Sequence, residues 1–384
     1  MKYKILYVNL FPEIGGAETS LIYLLEGLNR KKFTPYVIVP KSGQFSERLK
    51  KLCKLIYLDL PGYTIRELFI PGTNLIALFK FGRICKITKP DLIHLNHITQ
   101  SFYAGCMRIL FKIPVIATSW VNSDCVYFYQ NIISNFGCNL ILPITPELKI
   151  QILNKKFIPR NKLLTIFPGV DNNFFTPSKS KVLYKKSLGL NSQYLTLSII
   201  SRFDFSKDHL TFLKAVNLVI KRYPKINIVI AQSIDTNLEI GNHMAPIVKK
   251  QIDKFLSKNP LLQKRVTFTG YQNDMRFLYN ATDILVNSSL YESLGISLIE
   301  AASCSIPIVA TNGGTQHHVV MDNVNGFLVG VGDYHKMADQ ILKLCQNPKL
   351  RYLFGKQARL ITLTKFSLKR YAEEITQVYE YLLN

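Results

Sequence analysis

Short runs rich in Val, Ile and Leu recur along this chain between longer stretches of helical period, and they come in two series. The first comprises Ile5 to Asn9, Tyr36 to Val39, Leu55 to Leu58, Leu92 to Leu95, Val115 to Thr118 and Leu140 to Leu142. The second restarts with Leu195 to Ser201 and continues through Ile226 to Ala231, Val266 to Thr269, Ile284 to Val286 and Ile306 to Ala310. Runs that are apolar throughout, rather than alternating, suit strands covered on both faces, the habit of a parallel sheet with crossover helices. Between the series, after Asp171, lie Pro177, Ser178, Ser180 and the lysines Lys179, Lys181, Lys185 and Lys186, which read as a junction. A chain of 384 residues exceeds one ordinary core. The pattern therefore predicts an α/β protein of two doubly wound domains joined near residues 172–185, with a ligand cleft between them. Residues 1–172 form the first domain and 173–366 the second. The final segment sets Leu368, Tyr371, Ala372, Ile375, Val378, Tyr379 and Leu382 on one helical face, with Ser367 as its N-cap.

Composition narrows the function classes. With 48% apolar and 19% charged residues the chain is globular, not disordered. Its net charge of +23 is not a tail: basic residues exceed acidic ones by 13 up to residue 180 and by 10 beyond it. Such an excess gathers anions, whether nucleotide, phospholipid surface or nucleic acid, without choosing among them. The seven cysteines, Cys53, Cys85, Cys106, Cys125, Cys138, Cys304 and Cys345, are scattered and never spaced as C-x-x-C, so reduced thiols are expected. Met1 to Leu10 enters a strand-like run with no signal-peptide pattern, which predicts a cytoplasmic protein. The longest charge-free run, Cys125 to Pro146, carries Gln130, Asn131, Asn135, Asn139, Gly137 and two prolines, so no transmembrane helix is predicted.

Three places could carry chemistry. Gly15-Gly16-Ala17-Glu18 follows the first strand and precedes a helix with Leu21, Leu24, Leu25 and Leu28 on one face. Paired glycines there let a ligand touch the backbone, and the helix N-terminus offers amides to an anion; the plainer alternative is a turn needed only for chain reversal. Arg202 ends a strand and Lys207 lies five residues on, where a fork and a point charge can grip a diphosphate; the alternative is solvated loop charge. Asp283 to Gly326 is the most informative stretch. Glu292 stands at or before a helix N-terminus and Glu300 eight residues later, roughly 12 Å away on a fully helical path. One carboxylate suits sugar hydroxyls, the other a ribose diol, and the amides of Leu294, Gly295 and Ile296 suit phosphate. The alternative makes Glu292 a first-turn acid and Glu300 a solvated residue, although Leu298, Ile299, Ala301 and Ala302 around Glu300 favour burial.

These residues together resemble the retaining nucleotide-sugar glycosyltransferases of group one, often called family four, which have two Rossmann-like domains in the GT-B arrangement. The resemblance spans nearly the whole chain: Gly15 to Glu18, Asp91 to His97 (DLIHLNH), Phe167 to Asp171 (FPGVD), Arg202 with Lys207, Phe268 to Gly270 (FTG), Glu292 with Glu300, Pro307 to Gly314 (PIVATNGG) and Asn323 to Val329 (NVNGFLV). It implies that Arg202 and Lys207 neutralise a leaving diphosphate, that Glu292 contacts the transferred sugar, that Glu300 binds the ribose, and that the Gly15-Gly16 turn closes over phosphate. It also implies a final helix, residues 367–384, that crosses back to the N-terminal domain, and retention of anomeric configuration. No metal or other cofactor is expected, and His94 and His97, three apart on a strand-like run, are read as core or cleft lining. Three positions depart from the family pattern: Trp120 stands where many members have His, His317 where Glu is usual, and Ser288 where Pro is usual.

The resemblance implies an acceptor that meets the N-terminal domain, a glycan or lipid-linked molecule of surface polysaccharide or glycolipid synthesis. Leu75 to Arg83 and Phe102 to Lys112 interleave basic residues with Phe, Leu and Ile, so peripheral contact with an anionic membrane's inner face is a second expectation; ordinary sheet-packing helices with basic rims are its alternative. A sugar-nucleotide epimerase or phosphorylase of the same fold, a non-catalytic relative, and a basic nucleic-acid-binding protein are the competing classes. The spread of Lys and Arg speaks against specific nucleic-acid binding.

Overall fold

All the apolar runs named above become strands, because β-branched residues buried on both faces fit a covered parallel sheet better than a helix. The computed structural model describes residues 2–60, 71–121, 128–232, 244–272 and 274–384, with backbone alone at 71–74 and 271. The first series gives β1 (Tyr3–Val8), β2 (Phe33–Val39), β3 (Lys54–Tyr57), β4 (Leu92–Leu95), β5 (Val115–Ser119) and β6 (Leu140–Pro143). These pair in parallel in the order β3-β2-β1-β4-β5-β6. The second gives β7 (Leu195–Ile200), β8 (Ile226–Gln232), β9 (Val266–Tyr271), β10 (Ile284–Asn287) and β11 (Ile308–Thr311), to which the structure adds β12 (Gly326–Val329). Their order, β12-β11-β10-β7-β8-β9, is again parallel and repeats the first pattern from its own first strand outward. Strand order reverses between β1 and β4 and between β7 and β10, and ligands of such sheets gather beyond the strand C-termini at that reversal.

The chain divides into two units, Met1–Gly169 with Leu368–Asn384, and Val170–Ser367. Val170 to Asn172, assigned to the first domain from sequence, group with the second unit for a physical reason. The Val170 N–H donates to Phe366 O at 2.9 Å, and Asn172 Nδ2 donates to Ser303 Oγ at 2.9 Å. Ser367 likewise bridges to Val170.

In the first unit the sheet core of Ile5, Tyr7, Leu24, Val37 and Leu92 is completed by Tyr371, Ile375, Val378 and Tyr379 of the helix Leu368–Leu383. A polar thread runs through that core. Tyr379 OH donates to Tyr7 OH at 2.9 Å, His94 Nδ1 lies 2.7 Å from Tyr379 OH, and His94 Nε2 lies 3.0 Å from Thr118 Oγ1. Burial pushes His94 down to about 3, so the ring is neutral. In the second unit, Asp283 at the start of β10 accepts from Lys185 Nζ (2.5 Å), Lys181 Nζ (3.2 Å) and the Thr196 N–H (2.9 Å). Burial opposes its ionisation, but the two ammonium groups and the amide hold the carboxyl below the usual range. This triad ties the junction helix Lys181–Ser187 to the sheet.

The six described cysteines are free thiols, and burial pushes those of Cys53, Cys85, Cys304 and Cys345 up to about 12. Cys125 and the opening of the charge-free run lie outside the described residues. Among the described residues no helix is long and apolar enough to cross a membrane.

Candidate active site

Beyond β7 the chain leaves the sheet at Ser201 and reaches a single helical turn, Phe205–Lys207, before the helix His209–Arg222. Two side chains shape this loop. Asp204 Oδ1 accepts the Ser206 N–H at 2.8 Å, and Asp208, at φ 42°, accepts the Thr211 N–H at 3.2 Å as the helix cap. Beneath it Phe203 packs edge-on to buried His209, whose Nε2 lies 3.1 Å from Ser201 Oγ. Burial, reinforced by the nearby Lys207 charge, pushes His209 down to about 4, so it serves as a neutral prop. Burial also opposes the charge on Asp204, yet the Ser206 hydrogen bonds with Arg202 and Lys207 nearby hold its carboxyl below the ordinary value.

The loop after β10 is bonded to this one. Ser288 Oγ lies 2.9 Å from both Lys207 O and Asp208 O, and the Leu290 N–H donates to Ser206 O at 2.7 Å. The result is an ion pair: Lys207 Nζ donates to Glu292 Oε2 at 2.6 Å, with the two side chains only 14% and 16% exposed. Glu292 is fixed through its own backbone, its N–H donating to Gly313 O (2.8 Å) and its carbonyl accepting from Thr315 (3.0 Å). The intervening Gly314 has φ 138°, and a Cβ there would stand 2.2 Å from Glu292 O. That closeness requires glycine. Arg202 is exposed on the same loop as Lys207.

Glu292 sits in a β-bridge to Gly314, and the helix begins only at Ile296, after Gly295 at φ 82°. The path between the two glutamates is therefore not fully helical, and the 12 Å expectation does not apply. Glu300, in the helix Ile296–Ser303, is 5% exposed, and Tyr279 OH donates to its Oε2 at 2.6 Å. A solvated surface role for it is excluded. Leu294 is buried, while Gly295 and Ile296 are half-buried at the helix start.

In the first unit the Gly15 N–H is already engaged. Glu18 Oε2 accepts from it at 3.1 Å, and a Cβ on Gly15 would meet that oxygen at 2.9 Å. The other oxygen, Glu18 Oε1, lies 2.9 Å from His97 Nε2. Gly16 opens the helix Gly16–Gly27. The sequence reads His94 and His97 as core or cleft lining; the structure puts His94 in the core thread and His97 against Glu18. Trp120 is buried, and its Nε1–H donates to Asn96 O at 2.7 Å. His317 is exposed and lies against the His318 ring at 4.4 Å. Ser288, which stands where Pro is usual in the family pattern, is the brace between two loops, a role carried by its bonds to Lys207 O and Asp208 O.

Residues 14–174 match the family description "Glycosyltransferase Family 4", and residues 181–361 match "Glycosyl transferases group 1", so the two together take in most of the chain. The chain belongs to the group 1 glycosyltransferases of family four. Over 390 residues it is 22% identical to the UDP-Gal:alpha-D-GlcNAc-diphosphoundecaprenol alpha-1,3-galactosyltransferase of Escherichia coli, covering 98% of this chain and 97% of that protein. It is also 22% identical to the alpha-monoglucosyldiacylglycerol synthase of Acholeplasma laidlawii, over 95% and 92% of the two chains. Among solved structures, that of Anabaena HepE in complex with UDP-glucose superposes with a TM-score of 0.82 at 18% identity, over 98% and 99% of the two chains. This glycosyltransferase thus shares the GT-B fold of two Rossmann-like domains.

Proposed function

We propose that this glycosyltransferase moves a sugar, with retention of anomeric configuration, from a nucleoside-diphosphate sugar to a hydroxyl of a glycan or lipid-linked acceptor, in surface polysaccharide or glycolipid synthesis. The observation that carries the reading is the Lys207–Glu292 pair, with Arg202 on the same loop, at the strand reversal of the second unit. As the C1–O bond to the diphosphate breaks, its electron pair leaves with the nucleotide, and Arg202 and Lys207 stabilise that charge. Diphosphate oxygens can take over Lys207, which frees Glu292 to accept hydrogen bonds from the sugar. The acceptor oxygen then bonds to C1 on the face the diphosphate left, and its proton passes to the departing phosphate. Glu300, oriented by Tyr279, takes the ribose diol. The amides at Leu294, Gly295 and Ile296 approach phosphate. No metal or cofactor enters this scheme. Uridine nucleotides are the first donors to test, since the Escherichia coli relative is named for UDP-Gal and the Anabaena structure holds UDP-glucose.

The experiment is a thermal-shift screen against UDP, GDP, ADP and CMP and their sugar conjugates, with Lys207→Ala and Glu300→Ala beside the wild type. Ligand at about 100 times its Kd stabilises by about 2.7 kcal/mol. One nucleotide should raise the unfolding temperature, and both variants should respond less. No response to any nucleotide would refute the reading.

A membrane surface is the second part of the proposal. The helix Pro71–Thr88 exposes Ile76 (56%), Phe79 (77%) and Ile87 (70%) among Lys80, Arg83 and Lys86, opposite buried Ala77, Phe81 and Cys85. Exposed apolar side chains flanked by cations suit an anionic bilayer on the cytoplasmic side. The chain should float with anionic vesicles at low salt, and Phe79→Ser should weaken this. Retention in the unbound fraction would refute it.

A further inference from the structure

One buried polar pair lies behind the diphosphate grip of the second unit. Ser201, the residue between β7 and Arg202, is 7% exposed, and His209, which opens the helix His209–Arg222, is 2% exposed. They meet at 3.1 Å through Ser201 Oγ and His209 Nε2. Burying a hydroxyl and an imidazole costs desolvation that a single hydrogen bond between them offsets only in part. Both groups are held in place. Phe203 lies edge-on to the imidazole, with ring centroids 5.1 Å apart, and the Ser201 N–H donates to Ala231 O of neighbouring β8 at 3.1 Å.

The direction of the Ser201–His209 bond follows from what surrounds the ring. His209 is neutral, so one of its two nitrogens carries the hydrogen. Nδ1 is buried and has no hydrogen-bond partner among the described residues. The ring stands at the first residue of a helix, whose amide end is positive, and near the Lys207 ammonium; the Asp204 carboxylate opposes these more weakly. That field favours a lone pair over an N–H at the unpartnered nitrogen, and a buried N–H without an acceptor is in any case rare. The hydrogen therefore sits on Nε2 and is donated to Ser201 Oγ. The serine's own hydrogen stays unspent, since its hydroxyl has no other partner among the described residues.

That hydrogen lies where an anion would be held. Ser201 adjoins Arg202 at the C-terminal end of β7, at the strand reversal, and Lys207 stands further along the same loop. We propose that Ser201 donates its hydroxyl hydrogen to an oxygen of the nucleotide's diphosphate, with His209 as the positioning residue that turns the hydroxyl toward it. The inference rests on the donor reading of the preceding section and stays within the unit Val170–Ser367. Arg202 and Lys207 supply charge, and Ser201 supplies direction. Because the imidazole N–H donates to the hydroxyl that donates to phosphate, the two bonds strengthen each other as charge collects on the leaving group.

The test measures binding of UDP, by titration calorimetry, and of uridine, by ligand-observed NMR, to the full chain. The proteins are wild type, Ser201→Ala, His209→Leu, His209→Gln and the double variant Ser201→Ala with His209→Leu. Loss of one hydrogen bond to a charged oxygen should raise the UDP Kd of Ser201→Ala about tenfold or more, with uridine within about twofold of wild type. His209→Leu should raise the UDP Kd about threefold or more, because the hydroxyl is no longer oriented before binding. His209→Gln, which returns an N–H near the Nε2 position, should recover part of that loss. The double variant should bind UDP no worse than Ser201→Ala, since His209 acts through the hydroxyl. An UDP Kd for Ser201→Ala within about twofold of wild type, or equal weakening of UDP and uridine, overturns the phosphate contact. Losses that multiply in the double variant overturn the positioning role of His209. Should His209→Leu fail to fold, His209→Asn, whose amide does not reach the Nε2 position, replaces it in both variants. Absence of UDP binding by the folded wild type instead overturns the donor reading beneath the proposal.

Discussion

Replacing Tyr379 by Phe removes one oxygen and should cost the first unit far more than one exposed hydroxyl. Tyr379 OH donates to Tyr7 OH at 2.9 Å and sits 2.7 Å from His94 Nδ1, while His94 Nε2 lies 3.0 Å from Thr118 Oγ1. Since Tyr379 spends its hydrogen on Tyr7, His94 must donate from Nδ1 and accept from Thr118 at Nε2. Tyr7 and Tyr379 are 0% exposed and His94 2%, so no water replaces what is lost. The buried Nδ1–H is left without an acceptor, at about 1–3 kcal/mol, and Tyr7 loses a hydrogen bond worth about 1 kcal/mol. The sum is about 3 kcal/mol, or roughly 6–12 °C in a unit of this size. Tyr371→Phe is the control: among the described residues its hydroxyl meets only Ser20 Oγ, at 3.4 Å, and its loss should cost under about 1 kcal/mol. The assay is urea unfolding of the full chain at pH 7.5, followed by far-UV circular dichroism. Tyr379→Phe within about 0.5 kcal/mol of wild type, or no costlier than Tyr371→Phe, would refute the tautomer and the network.

Acid should destabilise the fold early. His94 at about 3 and His209 at about 4 both lie below the ordinary 6.5, so the unfolded chain binds protons that the folded one refuses. Their contribution is whole above pH 6.5 and is lost as pH falls toward 4, at up to roughly 1.4 kcal/mol per pH unit for each ring. Urea midpoints at pH 7, 5.5 and 4.5 should fall in that order, and a flat series would count against burial of the two rings. Gly314→Ala should cost about 1–3 kcal/mol and abolish the nucleotide-induced thermal shift, because its Cβ would strike Glu292 O and dislodge the carboxylate paired with Lys207. An unchanged shift would mean that Glu292 lies outside the donor site.

What was legible in the sequence follows from which interactions are local. Strands of the two sheets stood out because runs such as Leu92 to Leu95 are apolar on both faces. β12 did not, since it opens on glycine and leaves only three apolar residues, Phe327, Leu328 and Val329. β2 begins at Phe33, three residues before its apolar run, despite Pro35. The register explains this tolerance: the Tyr3 N–H donates to Lys32 O and the Asn9 N–H to Ile38 O, so even-numbered β2 residues face β1. Pro35 therefore turns its missing donor toward β3, one residue ahead of the first pair, Tyr36 with Lys54. Spacing likewise drew attention to Arg202, Lys207, Glu292 and Glu300. It could not reveal that Lys207 pairs with Glu292, that Tyr279 holds Glu300, or that Glu18 reaches His97. Those partners are set by strand order and loop bracing, and nothing local in the sequence encodes them.

The helix Leu368–Leu383 gives the first unit a consequence for synthesis. Domains commonly fold in the order in which they leave the ribosome, at roughly 5–20 residues per second. Here the first unit is translated early but lacks Tyr371, Ile375, Val378 and Tyr379 until the whole second unit has followed, a delay of roughly 10–40 s. During that interval the second unit, continuous from Val170 to Ser367, has all its parts, whereas Tyr7 and His94 wait for a hydroxyl not yet made. The earlier-translated unit is thus the later one to finish, and a nascent chain stalled before residue 368 would expose its unfinished apolar face to chaperones.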